Sequence, residues 1–403
     1  MPTDEMNLDE RLKYLRIMRG RYTAADRKLK TELLNEMEIV TSLQRKYLIG
    51  QMSNPDLYRH PRHRERSRVY DDDVTQVIAV IADTLDWVCP ERLQPALRET
   101  ADILIRCDEL SAAPEVLAKL DEVSIATVGR ILAPIRPTER LPRAYPGRRM
   151  DTSAQRAVPI AIIPWDITEP GHFEVDLVHH GIPDEHGRLV CTIQFIDVLT
   201  GWSERFAIMG HEFDTIWDIL QTFRRHCPLP IREIHSDNGS EFINHALIAC
   251  FGPDQLDAHQ TRGRPGYHND NRCVEQKNSS LVRAYLGDMP LHTPAQCQAL
   301  QRLYDDMWLY YNFFQPVLRQ VERRAVPRPN GTLRIARRQD RACTPWRRLL
   351  AAKPPLSRET QTRLQALYEA TNPLALKRRI HDQIEALKAM SDQSMKEEAV
   401  ALV

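Results

Sequence analysis

HFEVDLVHH, residues 172–180, is an apolar run that holds Asp176 in its interior. Phe173, Val175 and Leu177 alternate along it, which predicts a strand with one face turned to a core. Two further carboxylates stand downstream in equally defined settings. In IREIHSDNGSEF (231–242) a short β-like run, Ile231 to Ile234, leads to Asp237 and opens onto Asn238-Gly239, a turn signal. In NDNRCVEQKNSSLVRAYLG (269–287), Glu275 falls one turn into a segment where Val274, Leu281, Val282, Tyr285 and Leu286 recur at helical spacing. A strand interior, a strand end and a helix each supply one acid, which suits convergence at one rim of an α/β sheet.

Taken singly, each acid also reads as a solvated turn or a helix cap. Taken together, in these contexts and in this order, they point to phosphodiester chemistry. Two magnesium ions about 4 Å apart can stabilise the attacking and the leaving oxygen of an in-line displacement. Magnesium takes hard oxygen ligands and keeps several waters, so two Asp and one Glu completed by a DNA phosphate match its preference.

The order of strand-borne Asp, then HSDNGSEF, then NDNRCVEQKN resembles the integrase core of DDE transposases and retroviral integrases. YNFFQPVLR (311–319) is similar to bacterial insertion-sequence transposases of this type. The resemblance covers about 165–320 strongly and the flanks more loosely. It implies a ribonuclease-H-like α/β core with a mixed five-stranded sheet, and Asp176, Asp237 and Glu275 as its catalytic and metal-binding triad. It also implies two Mg2+ ions per site, with Mn2+ able to substitute. The activity implied is that of a DDE transposase. Such an enzyme binds the terminal repeats of a mobile element, cleaves a phosphodiester at each end and joins the freed 3′-OH to target DNA. Double-stranded DNA is then the partner, and a homo-oligomer of at least two copies is expected on it. Two features depart from the retroviral pattern. His60 and His63 have no CxxC after them, which excludes a zinc domain, and the first two acids lie about 60 residues apart, somewhat more than retroviral enzymes use. Two rivals remain at this stage: a DNA-binding regulator on a catalytically silent core, and a nuclease of the same fold that only hydrolyses.

With 403 residues the chain can bury two or three cores. Its formal net charge is zero, but arginine is unevenly spread. Residues 59–68 hold five Arg against one Glu, 130–149 six against one Glu, and 318–350 ten against Glu322 and Asp340. Such clusters are the footprint of phosphate binding, although any one of them also reads as a solvated charged face. Eight scattered cysteines without CxxC spacing argue against both a zinc ribbon and a disulfide framework. The amino terminus has no signal-type apolar stretch and no run approaches the roughly 20 apolar residues of a membrane span, so a soluble, cytoplasmic protein with no membrane partner is expected.

Six regions are expected. Residues 1–58 read as a helix-turn-helix unit. Leu29, Leu33, Leu34, Met37 and Val40 form its first stripe, and Leu43, Tyr47, Leu48 and Met52 line a second helix that turns Gln44, Arg45 and Lys46 outward to DNA. Residues 59–70 form a basic linker whose Arg62, Arg64 and Arg66 would touch DNA. Residues 71–133 read as a second helical DNA-binding unit with Arg130 outward, and 134–170 as a Pro/Arg-rich linker. The core spans 171–316, and 317–403 is a basic, helical tail. Within the core, 252–271 reads as a loop in which Arg262 and Arg264 contact phosphates, while Lys277 and Arg283 flank Glu275 as further DNA contacts. Asp197 and Glu241 read first as a strand-end cap and a helix-start acid, and His179 and His180 as structural residues.

Overall fold

The computed structural model describes residues 6–58, 69–136, 158–161, 163–164, 167–181, 183, 189–210, 212–237, 242–243, 248–252, 255–264, 271–327 and 333–401. They fall into two compact units, Met1–Val69 and Tyr70–Val403. The first is a bundle of three helices, α1 (Leu8–Ala24), α2 (Arg27–Thr41) and α3 (Arg45–Ser53). Asn7 and Glu10 close a capping box at the start of α1, and Asp26 caps α2. Ser42, at φ 56°, turns the chain between α2 and α3. Leu15, Met18, Leu33, Leu34, Met37, Leu48 and Met52 fill its core. Leu29, Val40 and Tyr47 were expected to join them but are exposed, and Leu15 and Met18 of α1, which the stripe reading did not use, take part in the core.

The second unit is built on a mixed five-stranded sheet: β1 (His172–His179), β2 (Val190–Asp197), β3 (Ser203–Met209), β4 (Glu233–Ser236) and β5 (His259–Arg262), ordered β3-β2-β1-β4-β5. β1, β2 and β3 form an antiparallel meander, while β4 and β5 run parallel to β1. β5 lies inside the stretch expected to be a loop. Four residues with polar side chains, HQTR, carry no hydrophobic alternation, and only pairing with β4 makes them a strand. Alternation along β1 sends Phe173 and Val175 to one face, where α9 (Phe213–His226) packs Ile216, Leu220 and Phe223 against them. Phe223 stacks on Phe195 at 4.1 Å between centroids and meets Phe173 edge-on. Glu174, Asp176 and Val178 take the opposite face, which is covered by α10 (Arg272–Lys277), its π-helical continuation Asn278–Arg283 and α11 (Pro294–Leu309).

Helices α4 (Asp72–Thr84), α5 (Pro90–Leu93), α6 (Leu97–Arg106), α7 (Pro114–Glu122) and α8 (Ile125–Leu132) were expected as a separate unit. They share one apolar cluster with the sheet and the C-terminal helices and belong with them to the unit Tyr70–Val403. Polar ties reinforce the seam: Tyr310 Oη donates to Thr84 O at 2.7 Å, Lys377 Nζ to Asp83 Oδ1 at 2.8 Å and Tyr368 Oη to Glu99 Oε1 at 2.6 Å. The C-terminal region is not purely helical. It opens with an antiparallel ribbon, β6 (Gln320–Pro327) and β7 (Leu333–Gln339). Helices α12 (Pro345–Ala351), α13 (Arg358–Ala370) and α14 (Pro373–Ala401) follow. None of the eight cysteines is in a disulfide, and among the described residues no helix is long and apolar enough to cross a membrane.

Candidate active site

The register of the sheet brings the first two acids together. β1 and β4 pair in parallel with His172 opposite Glu233, and that offset equals the spacing between Asp176 and Asp237. Two residues past the last pair, the chain leaving β4 therefore sets Asp237 level with Asp176, on strands about 4.8 Å apart. Glu275 arrives from the far side, in the first turn of α10. Asp237 and Glu275 are exposed, while Asp176 is largely enclosed.

Asp176 is held from two directions. Its Oδ1 accepts from the Leu177 N–H at 2.9 Å and its Oδ2 from Asn278 Nδ2 at 2.6 Å. Each oxygen keeps a second lone pair. Burial, then the neighbouring charges of Asp237 and Glu275, push its carboxyl up to about 7, against the lowering effect of those two hydrogen bonds. Three negative groups thus face one another across a partly dry gap. Among the described residues, no three His, Cys, Asp or Glu side chains are gathered closely enough to enclose a cation. The site offers crowded hard oxygens rather than a finished cage.

Sequence reasoning missed the residue that holds the first turn of the helix carrying Glu275. Glu174, two positions before Asp176 and on the same face of β1, is fully buried, and its Oε2 accepts from the Cys273 and Val274 N–H groups at 2.6 and 3.0 Å. A carboxylate on the first turn of a helix satisfies orphan donors and matches the dipole. Burial pushes the Glu174 carboxyl up to about 7. The period-two spacing of two acids inside an apolar strand was the available signal. Asn278, one turn after Glu275, was a second. Across the sheet from Asp176 the register sets Gln194 and then Arg205, both buried. Arg205 lies 5.7 and 5.8 Å from the rings of Tyr304 and Tyr311.

The remaining candidates divide. Asp197 accepts from Gly171 N, Thr200 N and Thr200 Oγ1 at 2.7, 2.8 and 2.7 Å and holds the turns beside β1 and β2. A Cβ at Gly171, φ 110°, would collide with Pro230 O, so that turn requires glycine. His180 is buried against Thr192 Oγ1 at 2.6 Å, and burial pushes its imidazole down to about 3, while His179 is exposed. Arg262 is not a loop phosphate contact: it ends β5, is buried, and its Nε donates to Val158 O at 3.0 Å. Arg264 is exposed. Lys277 sits 5.2 Å from the Tyr311 ring centroid, and Arg283 pairs with Asp288 at 3.3 Å. On α3, Gln44 and Lys46 are exposed, whereas Arg45 is drawn back to Glu38 at 3.0 Å. Arg130 is exposed on α8, its Nη2 donating to Thr127 Oγ1 at 2.9 Å. Arg62, Arg64, Arg66 and Glu241 lie outside the described residues.

No family model matches the chain. The uncharacterized protein y4rM of Sinorhizobium fredii is 31% identical over 311 residues, which span 76% of this chain and 87% of that protein. The chain belongs to the same family as y4rM. Among solved structures, a chain of the cryo-EM structure of a simian T-cell lymphotropic virus intasome in complex with PP2A regulatory subunit B56 gamma is similar over 54% of this chain and 70% of its own length. Its TM-score is 0.30 and its identity 14%, too slight a likeness to bear on function.

Proposed function

We propose that the protein is a DDE transposase with a ribonuclease-H-like core, acting on double-stranded DNA as at least a dimer in the cytoplasm. The observation that carries this reading is the facing of Asp176, Asp237 and Glu275 from a strand, a strand end and a helix, with the Asp176 carboxyl pushed up to about 7 by burial and by the other two. A carboxyl whose proton affinity is raised by two neighbouring acids is poised for a cation, and the hard oxygens suit magnesium or manganese. Completed by a DNA phosphate, those three residues would hold two ions, which would stabilise the attacking and leaving oxygens of an in-line displacement.

The chain's own residues prepare that geometry. Asn278 and the Leu177 N–H orient the Asp176 carboxyl, Glu174 fixes the first turn of α10, and the β1–β4 register fixes Asp237. In the first unit, the exposed Gln44 and Lys46 at the start of α3 are suited to reading an element's terminal repeats in a major groove. The deciding experiment is a cleavage and strand-transfer assay, with labelled duplexes that end in the terminal repeats flanking the gene and with Mg2+ or Mn2+ present. Production of a 3′-OH end and its joining to a second duplex supports the reading. A purified chain that binds the ends yet cuts nothing with either ion refutes it.

A further inference from the structure

A second basic site lies on the reverse of the helix that carries Glu275. At 100° per residue, Cys273, Gln276 and Lys277 share the face of α10 turned away from Glu275. They border a cavity of about 380 Å3 that continues along the base of the β6–β7 ribbon. Five cations line it: Arg272, Lys277, Arg319, Arg337 and Arg348. The one lining carboxylate, Asp197, already accepts three hydrogen bonds from its own turns. Burial lowers the Arg319 guanidinium from its ordinary value, against the raising effect of Asp340 and with a smaller lowering from Arg348.

The ribbon is fixed at its base and exposed beyond it. Arg319 N donates to Asp340 Oδ1 at 2.8 Å, and Arg348, which is 10% exposed, clamps both Asp340 oxygens at 3.1 Å while donating to Val317 O. Beyond that clamp, cross-strand register puts Arg324, Arg334 and Arg338 on one face of the ribbon. All three are exposed, with Arg324 and Arg338 at 71% and 72%, and Glu322 is the acid beside them. Arg337 takes the opposite face and borders the cavity. A two-stranded ribbon is of a size that a DNA major groove admits, and arginine forks suit phosphate oxygens.

We propose that the ribbon carries a two-sided phosphodiester-binding track, with Arg324, Arg334 and Arg338 on its outer face and the Arg337-lined cavity on the other, which grips the backbone of the duplex flanking the phosphate held at Asp176, Asp237 and Glu275. The two sites lie on opposite sides of α10, roughly one helix diameter, about 10 Å, apart. The inference rests on the proposed function for its partner, and its own content is where the duplex runs.

The test uses the full chain, a labelled duplex of mixed sequence and a salt titration. Replacing Arg324, Arg334 and Arg338 together by Ala should flatten the slope of log affinity on log salt by about two to three units, at ~0.9 per phosphate. Specific and non-specific duplexes should weaken by similar factors. Lysine at the same three positions should restore the slope, and Arg337→Glu should weaken binding through the cavity. An unchanged slope in the alanine variant, or a slope lost equally with lysine, overturns the track while leaving the proposed chemistry standing. Displacement of the duplex by millimolar inorganic phosphate, at an ionic strength where chloride displaces none, reassigns the cavity to a free phosphate ligand and also overturns it. A wild-type chain that shows the slope but never cleaves DNA overturns the chemistry and leaves the track.

Discussion

In the unit Met1–Val69 the core is made by near neighbours in sequence: Leu15 and Met18 of α1 meet Leu33, Leu34 and Met37 of α2 and Leu48 and Met52 of α3. In the unit Tyr70–Val403 almost nothing that matters is local. Asp176, Asp237 and Glu275 come from β1, the end of β4 and α10, and Asn278 reaches back 102 residues to hold Asp176. Even the helices nearest the amino end of that unit bury their faces against its last ones, through Lys377 with Asp83 and Tyr368 with Glu99. A piece built from local contacts can be removed or exchanged. A site assembled across a sheet fails wherever the sheet is disturbed.

Truncation tests that contrast most sharply. A fragment 70–403 should melt cooperatively and lose only its preference for element ends. A fragment 151–403 should lose cooperative unfolding altogether, because Val74, Ile78, Ile81, Leu97 and Leu104 belong to the core shared with the sheet. Thermal melts and size-exclusion profiles of the two fragments check this, and a well-behaved 151–403 would show that α4–α8 are dispensable for packing.

Next in size is Asp237→Asn. The amide keeps the shape and removes a charge, so cleavage and joining should fall by about 10²–10³-fold or more, the cost of deleting one preorganised charged group. Duplex affinity should hardly move, since binding is placed on other surfaces. Turnover with Mg2+ beside a binding isotherm reads both.

Glu174 sharpens the comparison inside the larger unit. Glu174→Ala removes the one oxygen that accepts from both the Cys273 and Val274 N–H groups of α10 and should destabilise by about 2–3 kcal/mol. Glu174→Gln, which keeps one oxygen, should recover part of that stability. If Glu174 aims Glu275, the glutamine variant should still show a drop in turnover at unchanged duplex affinity, a result that a merely structural role would not give.

The smallest effect is one of pH. The Asp176 carboxyl is raised in the folded chain to about 7, well above the ~3.9 of an unfolded Asp, so the native state binds the extra proton between those values. Stability should therefore fall as pH rises from about 4 to 7 and level off above. Asp176→Asn removes that loss, and the Asn278 amide can rotate to accept from the new one, because its Oδ1 is buried without a partner. The variant should be the more stable protein at pH 8, by about 1–2 kcal/mol after screening, with the gap closing toward pH 4. Chemical denaturation at the two pH values measures it.

The element settings of Asp176, Asp237 and Glu275, in a strand, at a strand end and in a helix, were legible in the sequence, because each rests on a local pattern: alternation along 172–180, a β-like run over Ile231 to Ile234, threes and fours around Val274. Period-two and 3.6-residue signals are properties of a few consecutive residues. Other features had no such signature. β5 is polar and becomes a strand only beside β4, and Arg262 was read as a loop residue for that reason. The ribbon at 320–339 is so rich in arginine that its β pattern is hidden. That α4–α8 share a core with the sheet is likewise hidden, because the Pro/Arg-rich stretch between them reads as a linker. Sequence alone determined which residues carry charge and which strongly patterned segments are helical or extended. Tertiary structure decided which charges face one another, because register and packing join positions that lie far apart along the chain.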